Sequence, residues 1–146
     1  MELYTVIIKN WQRSIDSVVE WANERGLTVE FGRNLEDQYL ADDKLIKINT
    51  SNSREHRFYA LLHECGHYLI MKTSSNFVRD MPMYKGFYGG ADGRTARSKA
   101  YHVSLVAEEI EAWRRGRALA RRLDLSIDNE RYDNLMAKCV YSYIKS

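Results

Sequence analysis

The sequence predicts an α+β fold, with an N-terminal helix, a short β-sheet, a long central helix and two further helices. Apolar residues recur at helical spacing in four segments of the 146-residue chain. Between the first two of these segments, two runs rich in β-branched residues alternate as strands do. The chain shows no internal period and no linker-like stretch, so we expect one domain spanning residues 1–146.

Two helices are predicted on either side of the sheet. Helical spacing places the first from about Ser14 to Glu24, and Gly26 supplies its end. The central helix is expected from about Ser53 to Lys72. Asn52 would be its N-cap, because Glu55 follows three residues later and completes a capping-box pattern.

The sheet is predicted from two clear strands and a short one. The first strand is Leu27 to Gly32, and a short strand at Gln38 to Leu40 fits within the polar connection that follows. The second clear strand is Lys44 to Asn49. Ile46 and Ile48 would lie on one of its faces, because successive side chains of a strand alternate.

The second half of the chain begins with an irregular segment. Residues Thr73 to Arg97 are rich in glycine and aromatic residues, and a connection of this length and composition is typical of a functional loop such as a lid. Helical spacing then returns from about Ser98 to Leu123 and from about Asn129 to Ile144. Asp128 is the expected cap of the last helix.

The central helix contains the sequence H-E-x-x-H. Positions four apart lie on the same helical face, so His63 and His67 can bind one tetrahedral Zn²⁺, and Glu64 can act as general base toward an activated water. A chance match within a core helix is the alternative, but two imidazoles and a carboxylate are costly to bury without partners. Cys65 lies about 200° from His63 and is expected to be a buried thiol. His56, near the helix start, is expected to be a surface or capping residue.

The third metal ligand is expected on the following helix. Glu109 shares a stripe with apolar and small residues, where a second helix can approach closely, and a glutamate on a buried stripe needs a partner. Glu111 shares a charged face with several arginines, and Glu108 lies between the two faces. His102, two turns before Glu109, is an alternative third ligand, as is Glu108.

The succession "GLTVEF", "LIKINT", "RFYALLHECGHYLI" and "EIEA" resembles the ImmA/IrrE-type metallopeptidases, small gluzincin-like proteins with a zincin-like fold. The last segment matches the E-x-x-A ligand motif of that family. The resemblance implies that His63, His67 and Glu109 bind zinc, that Glu64 is the general base, and that the substrate is a protein such as a repressor in a phage or mobile-element setting. Trp113 departs from the family, which usually has a small polar residue there.

A peptidase of this kind needs a binding edge and an oxyanion donor. An extended peptide is expected to add as a strand along Lys44 to Asn49. The candidates for the group that stabilises the oxyanion are Tyr84, Tyr88, Tyr101 and His102.

The alternative function is a nucleic-acid- or protein-binding module in which a metal only stabilises the fold. Eight basic residues in the second half favour it: Arg94, Arg97, Lys99, Arg114, Arg115, Arg117, Arg121 and Arg122. Net charge is only +2, which by itself does not indicate nucleic-acid binding. Two cysteines are too few for a disulfide framework, and no apolar run approaches the roughly 18 residues of a membrane span, so we expect a cytoplasmic protein.

Overall fold

The computed structural model describes residues 10–73 and 99–145 and has the predicted α+β fold, with the N-terminal helix first. The described elements, in chain order, are α1 Trp11–Glu24, β1 Thr28–Gly32, β2 Gln38–Leu40, β3 Leu45–Asn49, α2 Arg54–Thr73, α3 Lys99–Arg122 and α4 Asn129–Lys145. None of these helices is long and apolar enough to cross a membrane. Most of the glycine-rich segment, including Tyr84 and Tyr88, lies outside the described residues.

Helix α1 begins three residues earlier than predicted and ends where predicted. Its apolar face, which includes Ile15, Val18 and Ala22, is buried against the rest of the fold. After the helix, Gly26 adopts a φ of 81°, which residues with a side chain rarely adopt. The backbone N–H of Leu27 then donates to the carbonyl of Ala22 at 3.0 Å and closes the helix end.

Within the described residues, the sheet has three strands in the order β1-β3-β2. β1 pairs with β3 in parallel and β2 pairs with β3 in antiparallel orientation. Ile46 and Ile48 are both fully buried on one face, as predicted. Because β3 lies between β1 and β2, neither of its edges can accept a further strand. The prediction that a peptide adds along Lys44 to Asn49 is therefore wrong, and among the described strands β2 has the outer edge on that side.

Helix α2 is capped by Ser53 and not by Asn52, so that prediction is wrong. The hydroxyl of Ser53 accepts a hydrogen bond from the backbone N–H of His56 at 3.2 Å. Asn52 is held outside the helix because its carbonyl accepts a hydrogen bond from the guanidinium of Arg57 at 2.8 Å. The same guanidinium donates to the carbonyl of Thr50, also at 2.8 Å, and so fixes the turn between β3 and α2.

Helices α2 and α3 pack against each other with their backbones very close together. A Cβ atom built on Gly66 would lie 1.9 Å from the carbonyl oxygen of Ala112. One on Gly116 would lie 2.6 Å from the carbonyl oxygen of Leu62. The stripe of small residues on α3 is thus the surface that receives α2, as the sequence predicts, and it brings side chains of the two helices within bonding distance.

Helix α4 folds back onto this pair. The hydroxyl of its buried Tyr132 donates a hydrogen bond to the carbonyl of Trp113, and the ring centroid lies 5.3 Å from that of Tyr59. Asp128 caps the helix as predicted, since its carboxylate accepts a hydrogen bond from the backbone N–H of Arg131 at 3.0 Å. The backbone N–H of Asp128 donates to the hydroxyl of Tyr59 at 2.8 Å.

Candidate metal centre

The close packing of α2 and α3 brings three of the predicted site residues together. Nε2 of His63 lies 3.1 Å from Oε1 of Glu109, and Nε2 of His67 lies 3.0 Å from Oε2 of the same carboxylate. The two Nε2 atoms are 3.2 Å apart. Glu109 is 4% exposed and His63 7% exposed, whereas His67 is partly exposed.

Hydrogen bonds alone do not account for this triangle. An imidazole nitrogen either donates one hydrogen or accepts one, and it cannot do both. If Nε2 of one histidine donates its hydrogen to Nε2 of the other, the donating nitrogen has no hydrogen left for its contact with the Glu109 carboxylate. No placement of protons therefore gives every side of the triangle between His63, His67 and Glu109 its own hydrogen.

A tetrahedral cation satisfies all three contacts at once. When each ligand atom lies about 2.0–2.1 Å from a zinc ion, two ligand atoms are about 3.3 Å apart. The three observed separations between His63, His67 and Glu109 are 3.0, 3.1 and 3.2 Å. Two imidazoles and a carboxylate are also a donor set that zinc takes in catalytic sites. The residues therefore fit the ion that the sequence predicts.

Two further carboxylates lie beside the histidines. Oε2 of Glu64, which is 5% exposed, lies 3.1 Å from Nδ1 of His63. Oε1 of Glu108 lies 3.8 Å from Nδ1 of His67. A carboxylate on Nδ1 orients an imidazole so that its Nε2 faces a metal. Glu108 thus lies beside Nδ1 of His67 but beyond ordinary hydrogen-bond distance, whereas the carboxylate of Glu109 contacts Nε2 of both histidines.

The carboxylates determine the charge state of the site. Burial lowers the pKa of His63, but its contacts with Glu109 and Glu64 outweigh this and hold that pKa above its usual value. The pKa of His67 is likewise raised, since contacts with Glu108 and Glu109 outweigh burial. Burial raises the pKa of Glu109, but the two imidazoles outweigh it and hold that pKa far below its usual range. A divalent cation bound at the two Nε2 atoms would displace any proton that they carry.

The alternative ligand His102 lies apart from this cluster. The described residues contain two groups of candidate ligands whose ligand atoms all lie within 4.8 Å of one another. One group is His63, Glu64 and His67, and the other is His63, Glu109 and Cys139. His102 belongs to neither group, and its ring centroid lies 6.4 Å from that of Tyr101. The distances therefore favour Glu109 over His102 as the third ligand.

Two residues of the site were not predicted as site residues. The indole of Trp113 stacks on the imidazole of His63, with ring centroids 4.2 Å apart and planes 10° from parallel. Sγ of Cys139, on α4, lies 3.7 Å from Oε1 of Glu109. Trp113 follows Glu109 by one helical turn, a spacing that places both on one face of α3. For Cys139 the sequence offers no comparable signal, because its position depends on how α4 packs.

The cluster lies at the wall of a cavity of about 700 Å³. The sheet side of the cavity is formed by the β2 strand and the residues around it, and the opposite side by α4. The described lining residues are Glu36, Asp37, Gln38, Tyr39, Ala41, His56, Ala60, His63, Glu64, His67, Met71, Glu108, Glu109, Trp113, Leu135, Cys139, Ser142 and Tyr143. Tyr101 and His102 are not among them.

The remaining predictions on α2 concern Cys65 and His56. Cys65 is completely buried in the hydrophobic core, as predicted, and burial raises the pKa of its thiol. His56 is half-buried in the first turn of α2. Its side chain lines the cavity, but it is absent from both groups of candidate ligand atoms in the described part of the chain.

Comparison of the chain with protein-family models, with curated proteins and with solved structures gives no match.

Proposed function

We propose that this protein is a zinc-dependent metallopeptidase that hydrolyses a peptide bond in a protein substrate. The observation that carries the proposal is the triangle of His63, His67 and Glu109, whose three separations of 3.0–3.2 Å fit a tetrahedral zinc ion. A zinc ion held there would act as a Lewis acid on the scissile carbonyl and would lower the pKa of a water molecule to about 7.

The side chains of the site have distinct roles in this proposal. His63, His67 and Glu109 hold the ion, and the buried carboxylate of Glu64 takes a proton from the attacking water. Glu64 then passes this proton to the nitrogen of the leaving amine. In the structure this carboxylate lies 3.1 Å from Nδ1 of His63, so it would leave that contact to reach the attacking water.

The substrate is proposed to bind along β2. This strand pairs with β3 on one side only within the described part of the chain, and Gln38 and Tyr39 line the cavity that contains the cluster. An extended peptide that pairs with the outer edge of β2 would bring its backbone past Glu64. The main-chain hydrogen bonds would supply affinity, and side-chain pockets in the cavity would supply specificity.

The alternative of a nucleic-acid-binding module receives less support from the charges. Arg115 lies 2.8 Å from the carboxylate of Glu111, and Arg114 lies 3.9 Å from it. Arg117 pairs with Asp133 of α4. These ion pairs neutralise part of the basic face of α3, which reduces its attraction for phosphates. We also propose that the protein belongs to the ImmA/IrrE-type family and that its substrate is a repressor. Both proposals rest on the sequence motif and on the geometry of the site.

Metal content tests the ligand set. We expect the purified parent protein to contain one zinc ion per chain by native mass spectrometry, and Glu109→Ala to lose it or bind it much more weakly. Glu111→Ala is the matched control, since Glu111 lies two residues later on the same helix and pairs with Arg115. Full zinc affinity in Glu109→Ala would reject Glu109 as a ligand.

Cleavage of a peptide library, mapped by mass spectrometry, tests the catalytic role. Removing a general base typically slows a reaction by about 10²–10⁴-fold, so Glu64→Gln should cut at least 100-fold more slowly than the parent. Its zinc content should stay at one ion per chain. A Glu64→Gln variant as active as the parent would refute the mechanism. Salt-sensitive binding to DNA that is unchanged in Glu64→Gln, without cleavage by the parent, would favour the binding module.

A further inference from the structure

Helix α4 brings a thiol to the metal cluster. Sγ of Cys139 lies 3.7 Å from Oε1 of Glu109. The sulfur, a carboxylate oxygen of Glu109 and a ring nitrogen of His63 all lie within 4.8 Å of one another. With a thiolate about 2.3 Å and a carboxylate oxygen about 2.0–2.2 Å from one tetrahedral zinc ion, these two atoms would be about 3.5 Å apart. Cys139 therefore stands close to the fourth position of the site.

A buried donor without an acceptor lies beside this thiol. Trp113 is only 3% exposed, yet its Nε1 has no hydrogen-bond partner. Among the described residues it is the buried side-chain nitrogen of which this is true. A buried N–H without an acceptor is unfavourable, because it has lost its hydrogen bond to water. Burial raises the pKa of the Cys139 thiol to about 12, and the side chain of Trp113 acts in the opposite direction. A sulfur that carried a negative charge would give the indole N–H an acceptor.

We propose that Cys139 is the fourth protein ligand of the metal held by His63, His67 and Glu109, and that the indole N–H of Trp113 donates a hydrogen bond to its thiolate. This inference rests on the metal site of the proposed function. On binding, the S–H bond breaks and a sulfur–metal bond forms, while the proton leaves to solvent. No oxidation state changes.

A fourth protein ligand has a consequence for activity. Structural zinc sites have four protein ligands, whereas catalytic sites keep one position open for water or substrate. With Cys139 bound, the resting protein is latent, and the thiolate must leave and regain its proton before hydrolysis begins. Since Cys139 comes from α4, a displacement of that helix at the cavity would open the site.

Cobalt substitution tests the ligand directly. A bound thiolate gives Co²⁺ an intense sulfur-to-metal charge-transfer absorption in the near ultraviolet, which nitrogen and oxygen ligands do not give. We expect this absorption in the cobalt-loaded parent protein and its loss in Cys139→Ala, with one cobalt ion still bound. Cys65→Ala is the matched control and should keep it, because Cys65 is buried in the core. A parent protein that binds cobalt without this absorption would overturn the proposal.

A second variant and a second readout keep the test independent of folding defects. Trp113→Phe keeps an aromatic ring against His63 but removes the N–H, so it should shift the charge-transfer absorption and weaken metal binding by about 10–100-fold. In the unmodified parent, zinc should protect Cys139 from alkylation by iodoacetamide, as mapped by mass spectrometry. Equal alkylation of Cys139 with and without bound zinc would overturn the proposal.

Activity separates this inference from the proposed function. Cys139→Ala should cleave the peptide library faster than the parent if the thiolate blocks the fourth position. If neither protein cleaves any peptide while the charge-transfer absorption is present, the peptidase proposal fails and the fourth ligand stands. If the parent binds no cobalt at all, both fail.

Discussion

The contact between Gly66 and Ala112 gives the sharpest prediction. In Gly66→Ala, the new methyl group would lie 1.9 Å from the carbonyl oxygen of Ala112. A Cβ atom essentially never lies closer than 3.0 Å to another heavy atom of this kind, so α2 and α3 must separate by at least about 1 Å. The obstacle is backbone, which cannot rotate out of the way as a flexible side chain can.

The expected destabilisation is about 2 kcal/mol. Overpacking a core costs about 1–3 kcal/mol, and a clash with backbone belongs at the upper end of this range. Alanine gains about 0.8–1.0 kcal/mol over glycine in a helix interior, which offsets part of the cost. For a chain of this size, a loss of about 2 kcal/mol corresponds to a decrease in Tm of about 4–8 °C. Thermal unfolding of the metal-free protein, followed by circular dichroism, measures it.

The same separation should weaken zinc binding. Glu109 is on α3 and the two histidines are on α2, so a movement of about 1 Å far exceeds the roughly 0.2 Å tolerance of metal–ligand distances. We expect a loss of zinc affinity of at least tenfold, or about 1.4 kcal/mol, in a titration against a chromophoric chelator. Lys72→Ala, an exposed change on α2, is the control and should alter neither quantity. A Tm within 1 °C of the parent and unchanged zinc affinity in Gly66→Ala would refute the reasoning.

Three further predictions concern the free energy of unfolding of the metal-free protein, measured by urea titration. Arg57→Ala removes both hydrogen bonds to the carbonyls of the β3–α2 turn and should cost about 1.5–3 kcal/mol, and an unchanged midpoint would show that the turn does not need them. Tyr59→Phe leaves the backbone N–H of Asp128 without its acceptor and should cost about 1–3 kcal/mol, so stability equal to the parent would contradict that bond. Ser53→Ala should cost about 1 kcal/mol and speed amide exchange in the first turn of α2, and unchanged exchange would argue against Ser53 as the cap.

The elements that depend on local pattern were predictable from the sequence. The spacing of apolar residues placed all four helices within three residues of their observed ends, and the alternation around Ile46 and Ile48 placed β3. Helical phase put Glu109 on the buried stripe of α3, and the residue is 4% exposed and faces both imidazoles. These features follow from periodicity within one element, which the chain encodes directly.

Features that depend on how elements pack were not predictable in the same way. The order of strands, with β3 in the centre, depends on which strands pair, and each strand alone has the same pattern at an edge or in the middle. The approach of Cys139 to Glu109 depends on the return of α4 across the α2–α3 pair. The shift of the cap from Asn52 to Ser53 arises from Arg57, whose guanidinium holds the carbonyl of Asn52 outside the helix.

If the proposed zinc site is correct, the division of its ligands between two helices makes metal supply a determinant of how much folded protein exists. An ion that binds only the folded chain stabilises it by about 2.7 kcal/mol at a free concentration one hundred times its dissociation constant. The imidazoles of α2 and the carboxylate of α3 meet only when those helices are docked. Chelation should therefore lower the Tm, and in a cell short of zinc the unfolded fraction, which proteases remove, would rise about one-hundredfold relative to the loaded state. The abundance of the protein would then follow zinc availability without any separate sensor.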